Sequence, residues 1–201
     1  MNRREVLKGL GLTLGYTIAT PSIMSLLQSC NTEVKLWIPK LLSVDEGIVL
    51  KNLIDIMLPK TEITPGALDV NVPEFIDLYV YEVYEDDMQY KFKKGISTII
   101  KALNIPEEGV SLLEHKDYDA LLTKYLKVSK KQRLIYENEN DKKNEDATIF
   151  NALIDLRNTS VWVYKTSQQI GEHVLAYDPI PGTQIGCVSL EESTGGKAWS
   201  L

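Results

Sequence analysis

The sequence predicts a mostly α-helical protein: a single helical domain that ends in an irregular Pro/Gly-rich C-terminal tail. Three observations carry this expectation. Apolar residues recur at three- and four-residue intervals through much of the region from Ser43 to Gly171. Strand-like alternation is scarce before the C-terminus. Residues 175–201 then collect Pro179, Pro181, Gly182, Gly186, Gly195 and Gly196, which break regular structure. A length of 201 residues suits one domain large enough to bury a core.

The elements follow in chain order. Ser43-Val44-Asp45-Glu46 is a capping box, in which the Ser43 hydroxyl accepts from the Glu46 amide while Glu46 reaches back. The helix it opens carries Val49, Leu50, Leu53, Ile54, Met57 and Leu58, and Pro59 stops it. Thr61–Val72 reads as a loop with a Pro65-Gly66 turn, and Pro73 suits the first turn of the next helix. That helix bears Phe75, Ile76, Tyr79, Val80, Val83 and Tyr84. Another runs from about Asp87 to Leu103 with Phe92, Ile96, Ile99, Ile100 and Leu103, and Pro106 closes it. Residues 117–127 read as a short helix, and 129–137 as a further one or its continuation. The polar run Glu137–Asp146 is expected as an exposed excursion. A long helix with Phe150, Leu153, Ile154, Arg157, Val161 and Tyr164 follows, with Gly171 as its stop.

The first thirty residues have a separate logic. Arg3, Arg4 and Lys8 precede a run from Gly9 to Ala19 that is apolar apart from Thr13 and Thr17. This run is far short of the roughly 20 residues a spanning helix needs. A basic segment, a short apolar one and then small or polar residues is the layout of a cleaved signal. Arg3, Arg4, Leu7 and Lys8 are similar to the twin-arginine export motif, with Val6 where that motif has Phe. Such signals are read by a receptor rather than serving as anchors. Leu27-Gln28-Ser29-Cys30 looks like a lipobox, which makes Cys30 the lipidated first residue of the mature protein and 30–201 the helical domain. The alternative is ordinary cleavage nearby, with Cys30 a plain thiol. Gly9, Gly11 and Gly15 come within one residue of the dinucleotide fingerprint but have no preceding strand, so that reading is rejected.

Composition excludes several chemistries. The formal net charge is −6; residues 1–29 carry +2, which leaves −8 on the rest. A body that acidic is a poor nucleic-acid binder, and the basic stretch Lys124–Arg133 reads as a solvated helix end. Two cysteines, Cys30 and Cys187, and two histidines, His115 and His173, are too few for a zinc cage or a disulfide framework. A Cys30–Cys187 disulfide stays open only where neither thiol is otherwise used. Haem-attachment, Cys-x-x-Cys, Walker and Gly-x-Ser-x-Gly motifs are absent. No catalytic, cofactor-binding or metal-ligating residue is therefore assigned. Tyr79, Tyr81, Tyr84 and Tyr90 read as core and rim, and Asp86-Asp87 as solvated.

The tail reads LAYDPIPGTQIGCVSL from Leu175 to Leu190 and ends GKAWSL. Two X-Pro bonds stiffen it, and a rigid segment loses little entropy on packing against another surface. Tyr177, Asp178, Pro179, Pro181, Gly182, Cys187 and Trp199 are the expected partner contacts, although the tail is equally suited to wrapping its own helices. Together with the leader ending in Cys30, "LIDIMLPKTEITPGALDVNVPEFID" at 53–77 and "LRNTSVWVYKTSQQIGE" at 156–172, this tail resembles the gluconate 2-dehydrogenase subunit 3 family. Gln184 departs from the family pattern PGxYxGC.

The resemblance implies a non-catalytic small subunit with no cofactor of its own. Its partner would be a larger FAD-containing flavoprotein of the glucose–methanol–choline (GMC) oxidoreductase family that oxidises a sugar, sugar acid or glycoside. A c-type cytochrome, with haem c, would be a further subunit. A twin-arginine leader on a chain without a cofactor motif fits an escort whose address serves a folded, FAD-loaded partner. The expected location is periplasmic, at the membrane through a lipid on Cys30. Two competing readings are a stand-alone periplasmic enzyme using His173 with a nearby carboxylate, and a lipoprotein with only a structural or binding role.

Overall fold

The structure, a computed structural model, describes residues 37–106, 109–138, 144–180, 182 and 186–200. Contacts divide the chain into Met1–Trp37 and Ile38–Leu201, and the fold described is that of the second unit. The expected leader with Arg3, Arg4, Leu7 and Lys8, and Cys30 after it, lie outside the described residues.

The protein is mostly α-helical, as expected. The described helices are α1 (Val44–Met57), α2 (Val72–Val83), α3 (Asp86–Ala102), α4 (His115–Leu126), α5 (Lys130–Asn138), α6 (Glu145–Thr166), α7 (Gln168–His173) and α8 (Leu190–Thr194), with a 3₁₀ turn at Val110–Leu112. The capping box forms at Ser43 and Glu46, and Leu58 caps α1 just before Pro59. Pro73 sits in the first turn of α2, where a missing N–H removes no helical bond.

The long α6 is the hub. It packs against α1 to α5 and α7 and buries Phe150, Leu153, Leu156 and Val163. Around it lie Leu50, Leu53 and Ile54 of α1, Ile76 and Val80 of α2, Ile96 and Ile99 of α3, and Tyr118, Leu122 and Tyr125 of α4. The mid-helix Ser160 is fully buried, and its hydroxyl donates to the Leu156 carbonyl at 2.7 Å, so its burial leaves no open valence.

Two polar devices hold this core in register. Asp77 of α2 is 1% exposed, and its carboxylate accepts from the backbone N–H groups of Lys40, Leu41 and Leu42 at 2.5, 3.2 and 3.0 Å. A buried carboxylate is tolerable when hydrogen bonds replace its water, and these bonds fix the segment leading into α1 against α2. The second device lies between α4 and α6. The Tyr125 hydroxyl donates to Asp146 at 2.5 Å, and Lys124 reaches the same carboxylate at 3.5 Å. The Tyr125 hydrogen bond, with the Lys124 charge behind it, holds the Asp146 carboxyl below its ordinary range. Burial, then the bond to Asp146, pushes the Tyr125 phenol up.

The 61–71 loop owes its path to Gly66. A Cβ there would stand 2.7 Å from the Lys60 backbone nitrogen, closer than real contacts allow. The loop is tied to α6 by the Tyr164 hydroxyl, which donates to the Pro65 carbonyl at 2.6 Å.

Several expectations are corrected. The long helix ends at Thr166, because Ser167 turns extended (φ −64°, ψ 141°) and starts α7. Gly171 is buried inside α7 rather than ending a helix; a Cβ there would lie 3.1 Å from the Ser200 Oγ. On α2 the buried side is Val72, Ile76, Asp77 and Val80, while Phe75 and Val83 face outward. The tail also contains a short capped helix, α8, that the sequence reading did not place.

Asp77→Ala strips the acceptor from three amides and is expected to lower the unfolding free energy by about 3 kcal/mol. Asp77→Asn, which keeps one carbonyl acceptor, is expected to lose less. Equal denaturant midpoints for wild type and Asp77→Ala would overturn the clamp. The Tyr125–Asp146 bond has a defined pH window. A lowered carboxylate pKa contributes stability above the ordinary carboxylate range, lost as pH falls through the folded value. A raised phenol pKa contributes stability below the ordinary phenol range, lost as pH rises through the folded value. The wild-type advantage over Asp146→Asn in urea is therefore expected at neutral pH and should shrink below about pH 4.

Candidate functional site

The tail leaves α7 and comes back to it. The Ala176 N–H donates to the Ala198 carbonyl at 2.9 Å, and the Ser200 N–H donates to the Ala176 carbonyl at 2.8 Å, a parallel bridge that pairs Ala176 with Trp199. Residues 177–198 thus form a loop with joined ends. Tyr177, Asp178, Pro179, Gly182 and Cys187 are exposed on it, and Trp199 stands half-exposed at its closure. The bridge brings the chain at Tyr177 and Trp199 to one place. The Asp178 carboxylate accepts from the Ile180 N–H at 3.1 Å, a local turn. Cys187 is exposed and takes a left-handed φ of 59°. Pro181 and Gln184 lie outside the described residues.

A second surface was not anticipated. On α2, Phe75 and Tyr79 stack at 5.9 Å between ring centroids, and both meet Trp162 of α6, at 6.4 and 5.3 Å. Tyr84, just beyond α2, closes edge-on against Tyr79 at 5.6 Å. The cluster reaches solvent: Phe75 is 46% and Trp162 40% exposed, with Leu78 and Tyr81 open on the same helix. Partly exposed aromatic clusters of this kind are what protein interfaces use, since large rigid rings lose little entropy on binding. The sequence did hold a signal. Phe75, Ile76, Leu78, Tyr79, Val80, Tyr81 and Val83 put apolar residues all round α2, more than one buried face can accept.

Tyr84 also opens a groove of about 870 Å³ between α3 and α6. Asp155 of α6 lines it and is exposed, yet partial burial of its carboxyl pushes it above the ordinary range. Burial, and after it the neighbouring Tyr79 and Asp155, pushes the Tyr84 phenol up.

The histidines stand apart from these surfaces. His115 opens α4 and His173 ends α7, both exposed. Among the described residues His173 has no hydrogen bond or ion pair, and Glu172 beside it accepts from Gln168 instead. Among the described residues no group of three or more His, Cys, Asp or Glu is placed to hold a metal ion, and no helix is long and apolar enough to cross a membrane.

No curated protein and no solved structure matches the chain. A family model described as Gluconate 2-dehydrogenase subunit 3 matches residues 45–182, which run from α1 through the start of the tail loop. That span takes in the packed helices, the aromatic cluster and the groove, and its description names one subunit of a larger dehydrogenase complex. The chain belongs to the gluconate 2-dehydrogenase subunit 3 family.

Proposed function

We propose that this chain is a non-catalytic small subunit that binds, stabilises and escorts an FAD-dependent dehydrogenase of the GMC family acting on a sugar, sugar acid or glycoside. The observation that carries the reading is the partly exposed aromatic cluster of Phe75, Tyr79 and Trp162. A protein that works alone has little use for three large rings held in contact with two of them, Phe75 and Trp162, open to water. The tail loop supplies a further exposed apolar set, with Ile180 and Leu190 standing out beside Tyr177 and Trp199. Among the described residues neither histidine is held by a carboxylate, and this reading assigns the chemistry to the partner.

The leader belongs to the same proposal. Arg3 and Arg4 address the folded pair to the twin-arginine route, and a lipid on Cys30 holds it at the periplasmic face of the membrane. A c-type cytochrome completes the electron path. One acyl chain binds a membrane weakly and several bind it stably, so anchoring needs the full lipid modification of Cys30.

A tagged chain isolated from its native host is expected to bring down a yellow, flavin-absorbing polypeptide and to show no sugar oxidation when stripped of it. Dye-linked oxidation by the isolated chain would sink the proposal. Phe75→Ala with Trp162→Ala is expected to weaken that association at least tenfold, and Phe75→Leu with Trp162→Leu, which keeps apolar bulk between α2 and α6, is expected to weaken it while retaining more of the thermal midpoint. Replacing Arg3 and Arg4 by lysine is expected to leave the flavoprotein in the cytoplasm, and unchanged export of the partner would refute the escort role.

A further inference from the structure

We infer that the groove between α3 and α6 receives an acidic, amphipathic segment of the partner subunit, its acidic flank lying against α3. The inference rests on the reading of this chain as an accessory subunit and names the chemistry of what that subunit holds.

One rim of the groove carries Lys91, Lys94 and Lys101. Intervals of three and seven residues set them along one side of α3. All three are exposed, and none forms an ion pair with a described residue; the ion pairs found use Lys60, Lys116, Lys124 and Arg133. Residues 30–201 carry a net −8, so this rim is a positive strip on a negative body. Such a strip selects a negatively charged partner and orients its approach.

Phe92, Gly95 and Ile96 of α3 and Ala152 and Leu156 of α6 also line the groove. Gly95 and Ala152 meet where the helices come closest: a Cβ on Gly95 would lie 3.3 Å from that of Ala152. Two small residues at that point leave room above them for apolar side chains of another segment. The far rim is different, with Glu145, Asp155 and Asn158. An acidic flank is repelled there, which sets the occupant's orientation: acidic groups toward α3, apolar ridge inward, and basic or hydroxyl groups toward α6.

Size separates a polypeptide from a small ligand. The ten helical steps from Lys91 to Lys101 rise about 15 Å. A single phosphate or carboxylate head cannot reach lysines spread over that distance, whereas a segment bearing several acidic side chains can. Tyr84 belongs both to the groove and to the aromatic cluster, so the two form one face. The charged groove orients the partner and the rings anchor it.

The test uses the flavin-containing complex isolated with the tagged chain. Zero-length carbodiimide coupling followed by mass spectrometry is expected to join Lys91, Lys94 or Lys101 to Asp or Glu side chains of the flavin-bearing subunit. The variant Lys91→Glu, Lys94→Glu, Lys101→Glu is expected to lose at least tenfold in association, with its thermal midpoint retained. The corresponding triple Arg variant is expected to keep association, and added salt should weaken the wild-type complex more than the Glu variant's. A complex that forms normally with the triple Glu variant, and shows no coupling through these lysines, overturns the inference and leaves the accessory-subunit reading standing. Coupling of these lysines to a second copy of this chain, or recovery of a lipid from the groove, also overturns it. If no flavin-bearing chain accompanies the wild type, the underlying reading falls and the inference with it.

Discussion

A carboxylate buried against three backbone amides fixes the segment ahead of α1 against α2. The N–H groups of Lys40, Leu41 and Leu42 lie ahead of α1, where no helical carbonyl is available to them. Asp77 answers all three from α2, and so sets where α1 enters relative to its neighbour. With Val72, Ile76, Asp77 and Val80 turned inward, Phe75, Leu78, Tyr81 and Val83 of α2 are left facing out. The exposed side chains of Phe75, Leu78 and Tyr81 are thus the other side of the same constraint. Local stability and the surface proposed for a partner share one helix.

The rest of the body follows from α6. Its length lets it touch six helices at once, and the contacts are of different kinds. Phe150, Leu153 and Leu156 supply bulk to the core, Ala152 lets α3 come close at Gly95, and Trp162 joins the rings of α2. Tyr164 holds the 61–71 loop through its hydroxyl. Because the groove and the aromatic cluster are both built on α6, a partner bound to one is aligned with the other. The tail loop reaches the same body through α7, where Ser200 closes over Gly171.

Much of this was legible in the sequence, and the reasons it stopped being legible are physical. Ser43 with Glu46, Pro59, Pro73 and the 3-4 spacing of Phe150 and Leu153 mark helices by local chemistry, and local chemistry reads directly. Gly171 misled because glycine ends helices when it adopts a left-handed φ, whereas here its missing side chain makes room for Ser200. Ser167, an ordinary residue, breaks the helix instead. The helix inside the tail had its own signal, since Ser189 and Glu192 form a capping box of the same type as Ser43 and Glu46. Asp77 could not be read at all: an acidic residue on a helix looks solvated until the amides that claim it are placed by the fold. The aromatic cluster joins positions 75, 79 and 162, a juxtaposition that only packing creates. The family resemblance, carried by residues 53–77, 156–172 and the tail, was legible before any of this geometry.

The bridge between Ala176 and Trp199 gives the tail a property that a free end lacks. Since both ends of the excursion are fastened to the body, the entropy of closing it depends only weakly on how many residues lie between. Lengthening or shortening the stretch between Asp178 and Ala198 then changes the stability of the helical body very little. Such a loop tolerates changes of length while its anchor stays constant. A small subunit built this way can be refitted to a differently shaped partner through its loop, with the helices left unchanged.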